Sequence, residues 1–118
     1  MINERKIKVM KYDKMQEALD NLKDVIIDKY KLLISDENMR VNFASNISFK
    51  KGKKFIKIIQ GSSVWGFVAL GDGLHKGVPY QRGDTFKPAS WSAPAKWARG
   101  NVLNGDSHWY DWTGPNYL

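Results

Sequence analysis

The chain contains no cysteine. That removes disulfide frameworks, thiolate zinc sites and cysteine nucleophiles, and it fits a reducing compartment. Histidine is nearly absent too: His75 and His108 both stand in turn-like contexts, so few groups titrate near neutrality. No apolar run approaches the ~20 residues that a bilayer-spanning helix needs. The first residues, Met1-Ile2-Asn3-Glu4-Arg5-Lys6, lack the apolar stretch of a signal peptide, so a cytoplasmic location without membrane contact is expected. Phosphate-cradling Gly-Lys-Ser/Thr loops, dinucleotide glycine fingerprints and zinc spacings are missing. Asp72, Asp84, Asp106 and Asp111 are scattered among glycines, where hydrogen bonding in turns accounts for them better than metal ligation. The expectation is a protein with no catalytic residues, no metal and no cofactor. The enzymatic alternative is RNA cleavage by the two histidines and a lysine acting as acid and base.

What the chain does have is positive charge and tryptophan. Its formal charge is +7, from 19 basic against 12 acidic residues. Residues 1–60 hold fourteen Lys/Arg against eight Asp/Glu, and residues 61–118 hold five against four, so the excess lies in the first half. It is densest at Lys50-Lys51-Gly52-Lys53-Lys54-Phe55-Ile56-Lys57. Lysine is a hydrated point charge rather than a bidentate fork, and suits salt-sensitive attraction to phosphate better than base reading. The plainer explanation of such a run is a solubilising surface.

Along the chain, Ile7, Val9 and Met10 alternate with lysines between Arg5 and Tyr12, as in a short edge strand. Asp13 with Gln16 three residues later resembles a capping box. Met15, Ala18, Leu19, Leu22, Val25, Ile26, Tyr30 and Leu33 then follow at three- and four-residue steps, predicting an amphipathic helix over 13–33. Ser35 before Asp36 and Glu37 marks a second, shorter helix to about Asn46, with Met39 and Phe43 on one face. From Phe49 onward, short β-branched and aromatic runs are broken by Gly, Pro, Asn and Asp. The runs predict strands at Lys53–Gln60, Val64–Leu70, Thr85–Pro88, Gly100–Leu103 and Trp109–Thr113, with Asn104-Gly105 as a hairpin turn. These elements read as an α+β fold: a helix or helix pair (residues 1–48) on a small, strongly bent antiparallel sheet or barrel, SH3-like or OB-like (residues 49–118), forming one folding unit. The stripe of the 13–33 helix must be buried somewhere, and a homodimer seam is one possibility.

The most unusual stretch runs from Thr85 to Asn101. Two prolines and four alanines make it a poor regular strand and an interrupted helix at best. It nevertheless carries Lys87, Trp91, Lys96, Trp97 and Arg99. Aromatics interleaved with cations can stack bases while tracking a phosphate backbone. With Lys50, Lys51, Lys53, Lys54 and Lys57 they form the candidate nucleic-acid-binding set. The competing explanation is that the tryptophans plug the open end of a small barrel. Alternation in Val64-Trp65-Gly66-Phe67-Val68 puts Trp65 and Phe67 on one face. In Trp109-Tyr110-Asp111-Trp112 it pairs Trp109 with Asp111 and Tyr110 with Trp112.

From Ile47 onward the chain resembles a group of small, mostly uncharacterised proteins encoded by tailed bacteriophages. The likeness is carried by Ile47-Ser48-Phe49-Lys50-Lys51-Gly52-Lys53-Lys54-Phe55-Ile56-Lys57-Ile58 and Ser63-Val64-Trp65-Gly66-Phe67. It continues in Gly83-Asp84, Lys87, Ala89-Ser90-Trp91, Pro94-Ala95, Ala98-Arg99-Gly100-Asn101, Trp112-Thr113-Gly114-Pro115 and Tyr117-Leu118. Trp97 and the Gly71–Gln81 stretch stand outside the pattern. The resemblance implies phage origin and action in the host bacterial cytoplasm, and it supplies no site residues. The leading expectation is therefore a non-enzymatic nucleic-acid-binding protein. Alternatives are a modulator that binds a host protein, and a pocket that captures a nucleotide between tryptophans.

Overall fold

The computed structural model describes residues 11–117; the strand expected near residues 5–12 falls almost entirely outside them. Tyr12, at its end, donates its backbone N–H to Leu103 O at 3.0 Å. Helix α1 is Met15–Leu33. It starts one residue later than the Asp13 signal implies, with Lys14 as a cap that makes no side-chain bond. Gln16 turns along the helix to donate to Asp20 Oδ1 at 2.9 Å, so no capping box forms. Ala18, Leu19, Leu22, Ile26 and Tyr30 are buried as the stripe requires, whereas Leu33 is exposed beside Leu32.

Helix α2 is Glu37–Ser45, and its cap is Asp36, not Ser35: the Asp36 carboxylate accepts the Met39 N–H at 3.0 Å. Arg40 reaches back to donate to Ile34 O and Lys31 O at 2.6 and 2.9 Å, satisfying carbonyls that the end of α1 leaves open. Phe43 stacks on Tyr30 with ring centroids 3.9 Å apart, and Trp112 stands edge-on to both.

Among the described residues nine strands follow: β1 Ile47–Lys51, β2 Phe55–Gln60, β3 Ser63–Ala69, β4 Gly73–His75, β5 Val78–Tyr80, β6 Asp84–Pro88, β7 Pro94–Asn101, β8 Tyr110–Asp111 and β9 Gly114–Pro115. Five form one antiparallel sheet in the order β1-β2-β3-β6-β7; β4-β5 and β8-β9 are separate two-stranded pairs. The arrangement is α+β, two helices on a bent sheet, and β1 and β7 are its open edges. Bulges between β2 and β3 and between β6 and β7 supply the bend.

Several boundaries differ from the sequence reading. Strand β1 occupies residues whose lysines obscured its alternation of Ile47 and Phe49. The stretch expected to be irregular forms β7. Pro94 is tolerated because it opens an edge strand, where no ladder donor is missed, and Pro88 falls at the last position of β6. Gly100 and Asn101 end β7, and Val102–Asn104 make a 3₁₀ turn closed by Gly105 at φ 78°. Asn104-Gly105 is thus a helical stop and not a hairpin.

The sheet has two apolar faces. Ile56 and Ile58 of β2 and Val68 of β3 join Leu22 and Ile26 of α1 in the larger core. Each such side chain, fully buried, contributes roughly 1.5–3 kcal/mol. The other face carries Ala69, Tyr80 and Phe86 with Phe55 and Ala98, and the β4-β5 hairpin covers part of it. Trp65 and Phe67 separate against simple alternation. The bulge leaves Trp65 with no partner on β2 and carries it into the larger core, where its indole N–H donates to Asp111 O at 3.0 Å. Phe67 packs edge-on to Phe55 on the other face. Trp109 and Tyr110 are likewise both buried, with centroids 4.6 Å apart. No helix among the described residues is long and apolar enough to cross a membrane.

Candidate functional site

The lysine run folds into the β1-β2 hairpin. Lys50 and Lys51 end β1, Lys53 and Lys54 lie in the turn, and Lys57 is on β2. The turn is tied by Gly52 N–H to Phe55 O at 2.8 Å and by Leu70 N–H to Lys54 O at 2.9 Å. In the register, Lys50 stands directly opposite Lys57. Like charges so placed are destabilising, and no acidic side chain among the described residues pairs with these lysines. The row continues across the sheet from Lys57 to Phe67, Phe86 and Ala98, so Lys50 and Lys57 share a face with the smaller aromatic core.

Over that face folds the β6-β7 loop. Pro88 and Pro94 bracket it, and bonds from Ala89 N–H and Ser90 N–H to Ala93 O close it at 2.8 and 3.2 Å. This closed loop lays Trp91 beside β2: the Lys57 ammonium lies 4.6 Å from the Trp91 ring centroid and 6.0 Å from that of Phe67. Trp91 remains 52% exposed. The result is an open cleft of about 260 Å³ lined by the five lysines, with Phe55 and Phe67 beneath and Ser92 on the far wall.

The other members of the sequence-derived set lie elsewhere. Lys96 and Trp97 are exposed on edge strand β7, with the Lys96 ammonium 5.2 Å from the Trp97 ring. Lys87 and Arg99 gather around Tyr117. Trp65 and Trp109 belong to the core at 2% and 8% exposure. His75 packs against Phe55 and Phe86 and its Nε2 is 3.0 Å from Pro94 O, while His108 is exposed in the segment before β8.

A family model covers residues 1–118. The chain belongs to a family of unknown function, DUF7717. No curated protein and no solved structure matches it. In this DUF7717 chain the sequence pattern singled out the cations that line the cleft and Trp91 beside it. It missed Phe67 as the floor, Ser92 as a wall and Tyr117 as a partner of Lys87 and Arg99. The signal for Phe67 was the register with Lys57, which no local pattern carries. Tyr117 had no signal beyond its own aromatic ring and its place in the phage-protein likeness.

Proposed function

We propose that this protein binds single-stranded nucleic acid in the cleft between the β1-β2 hairpin and the β6-β7 loop. The observation that carries the reading is the Lys57–Trp91 contact. It joins a half-exposed indole, able to stack any base, to a groove of lysines that no acid among the described residues neutralises, which is the combination a strand-tracking site requires. At about 260 Å³ the cleft is smaller than the roughly 300–1,000 Å³ of typical small-molecule pockets, which favours a polymer passing through over a captured nucleotide. Lysines in place of arginine forks favour phosphate contact over base reading. The resemblance to tailed-bacteriophage proteins supports action in an infected bacterial cytoplasm.

Anisotropy titration with labelled single-stranded and duplex oligonucleotides at two or more salt concentrations tests this. Single strands bind preferentially, with a log–log salt slope approaching about −3.5 if all five lysines meet phosphate. No binding at low salt, or binding indifferent to salt, refutes it.

One observation favours a protein partner as a second reading. Leu32, Leu33, Met39 and Val41 are exposed around the α1-α2 turn, more apolar surface than isolated exposure explains. Capture from bacterial lysate that survives nuclease and is lost in Leu32→Glu/Leu33→Glu supports it; capture that disappears with nuclease removes it.

A further inference from the structure

Lys87, Arg99 and Tyr117 form a cluster that the cleft does not use. Lys87 follows Phe86 on β6, so alternation turns it away from the smaller aromatic core. On that side the segment after β9 lays Tyr117 against both cations. The Lys87 ammonium is 4.1 Å and the Arg99 guanidinium 5.7 Å from the ring centroid. Arg99 Nη1 donates to Asn116 O at 2.9 Å, but its Nε is buried with no hydrogen-bond partner. No acidic side chain among the described residues pairs with either cation. Burial, and then the neighbouring Arg99 charge, push the Lys87 ammonium below the ordinary lysine range. Two adjacent cations that no acid offsets are what a bound anion relieves, and a guanidinium beside an ammonium suits phosphate. Tyr117 is 85% exposed, free to stack a base on the same unit.

Between this cluster and the cleft runs the β7 edge, with Lys96 and Trp97 exposed along it. From Trp91 to Arg99 the chain advances eight residues, at most ~26 Å at ~3.3 Å per strand residue. A single strand of the ~4–16 nucleotides that small β domains occupy can cover such a span.

We propose that Lys87 and Arg99 hold a backbone phosphate of the strand seated in the cleft, with Tyr117 stacking a base, after that strand has crossed the β7 edge past Trp97. The inference rests on the single-strand reading above and extends it from one face of the sheet to two. It is tested on the full chain with labelled oligothymidylates of about 5 and 15 nucleotides, lengths that bracket one face and both. The wild type binds the long oligonucleotide more tightly and with a steeper salt slope than the short one. In Lys87→Ala/Arg99→Gln the long-oligonucleotide slope falls by about 1.4, the value for two lost phosphate contacts on a single strand, and the short oligonucleotide is unaffected. Tyr117→Ala, at an exposed position, weakens only the long oligonucleotide several-fold and does not depend on the double variant folding.

Equal weakening of both lengths makes the effect one of general charge and overturns the proposal. So does a double variant with a lower thermal midpoint and unchanged long-oligonucleotide affinity, since the cations then serve the chain's own C-terminal segment. If the wild type binds the short oligonucleotide and the long one no better, the two-face path fails and the cleft stands. If it binds neither, the cleft reading itself fails.

Discussion

Trp91 is the side chain on which the cleft reading turns, because it is the aromatic group that meets the lysine groove while remaining open to a ligand. Base stacking on such a ring contributes roughly 1–3 kcal/mol. Trp91→Ala is therefore expected to weaken single-strand binding by about 5- to 150-fold and to leave the thermal midpoint nearly unchanged. Tryptophan fluorescence gives an independent check with an oligonucleotide of about 5 nucleotides, which stays on the face of the cleft and away from Trp97: it quenches the wild type, and the quench largely disappears in the variant, since Trp65 and Trp109 are shielded in the core. Asp84 supplies a residue-level test of the fold itself. Burial raises its carboxyl above the ordinary 3.8, partly offset by bonds from the Gln81 N–H and Asn101 Nδ2. The folded state then holds this proton to a higher pH than the unfolded chain does, so rising pH through the window above 3.8 costs stability. Relative to Asp84→Asn, the wild type should gain stability as pH falls toward that value, read from urea midpoints across the acid range. A constant difference between the two proteins contradicts the burial of Asp84.

At the scale of elements, the β1-β2 hairpin trades stability for charge. Its Lys50–Lys57 pair faces like against like, and cross-strand pairs are worth roughly 0.2–1 kcal/mol. Lys50→Glu is expected to stabilise the protein by an amount in that range and to weaken nucleic-acid binding at the same time. A substitution that improved both, or harmed both, would remove the functional reason for the lysine row. Helix α1 shows the opposite behaviour, where pattern and role agree. Its stripe from Ala18 to Tyr30 is spent on the sheet of the same chain. The α1 periodicity was legible up to Tyr30 because each residue's burial follows from its place on one face, and it failed only at Leu33, where the helix ends. Strand β1 was less legible, because an edge strand protected by lysines has a weak apolar signal. Strand β7 was obscured by Pro94, which an edge position tolerates.

Across the whole molecule, helices and sheet share one large core, in which Leu22 and Ile26 meet Ile58, Val68 and Leu103. Leu22→Ala is expected to cost about 2–5 kcal/mol. Far-UV and near-UV circular dichroism should report the same midpoint, because neither layer keeps a closed core without the other. Two separated transitions would show that the β-domain holds independently of α1. By itself the sequence determined both helices, the three inner strands β2, β3 and β6, the α+β class and the concentration of charge up to Lys57. Each of these depends on neighbours three to ten residues apart. The tertiary structure alone decided which tryptophans are buried, because a one-residue bulge redirects Trp65. It alone placed Trp91 over Lys57, thirty-four positions away in the chain, because that contact depends on the order of β2, β3 and β6 in the sheet. It also sent Lys87 and Arg99 to the other face, since side-chain direction along a strand is set by register and not by composition.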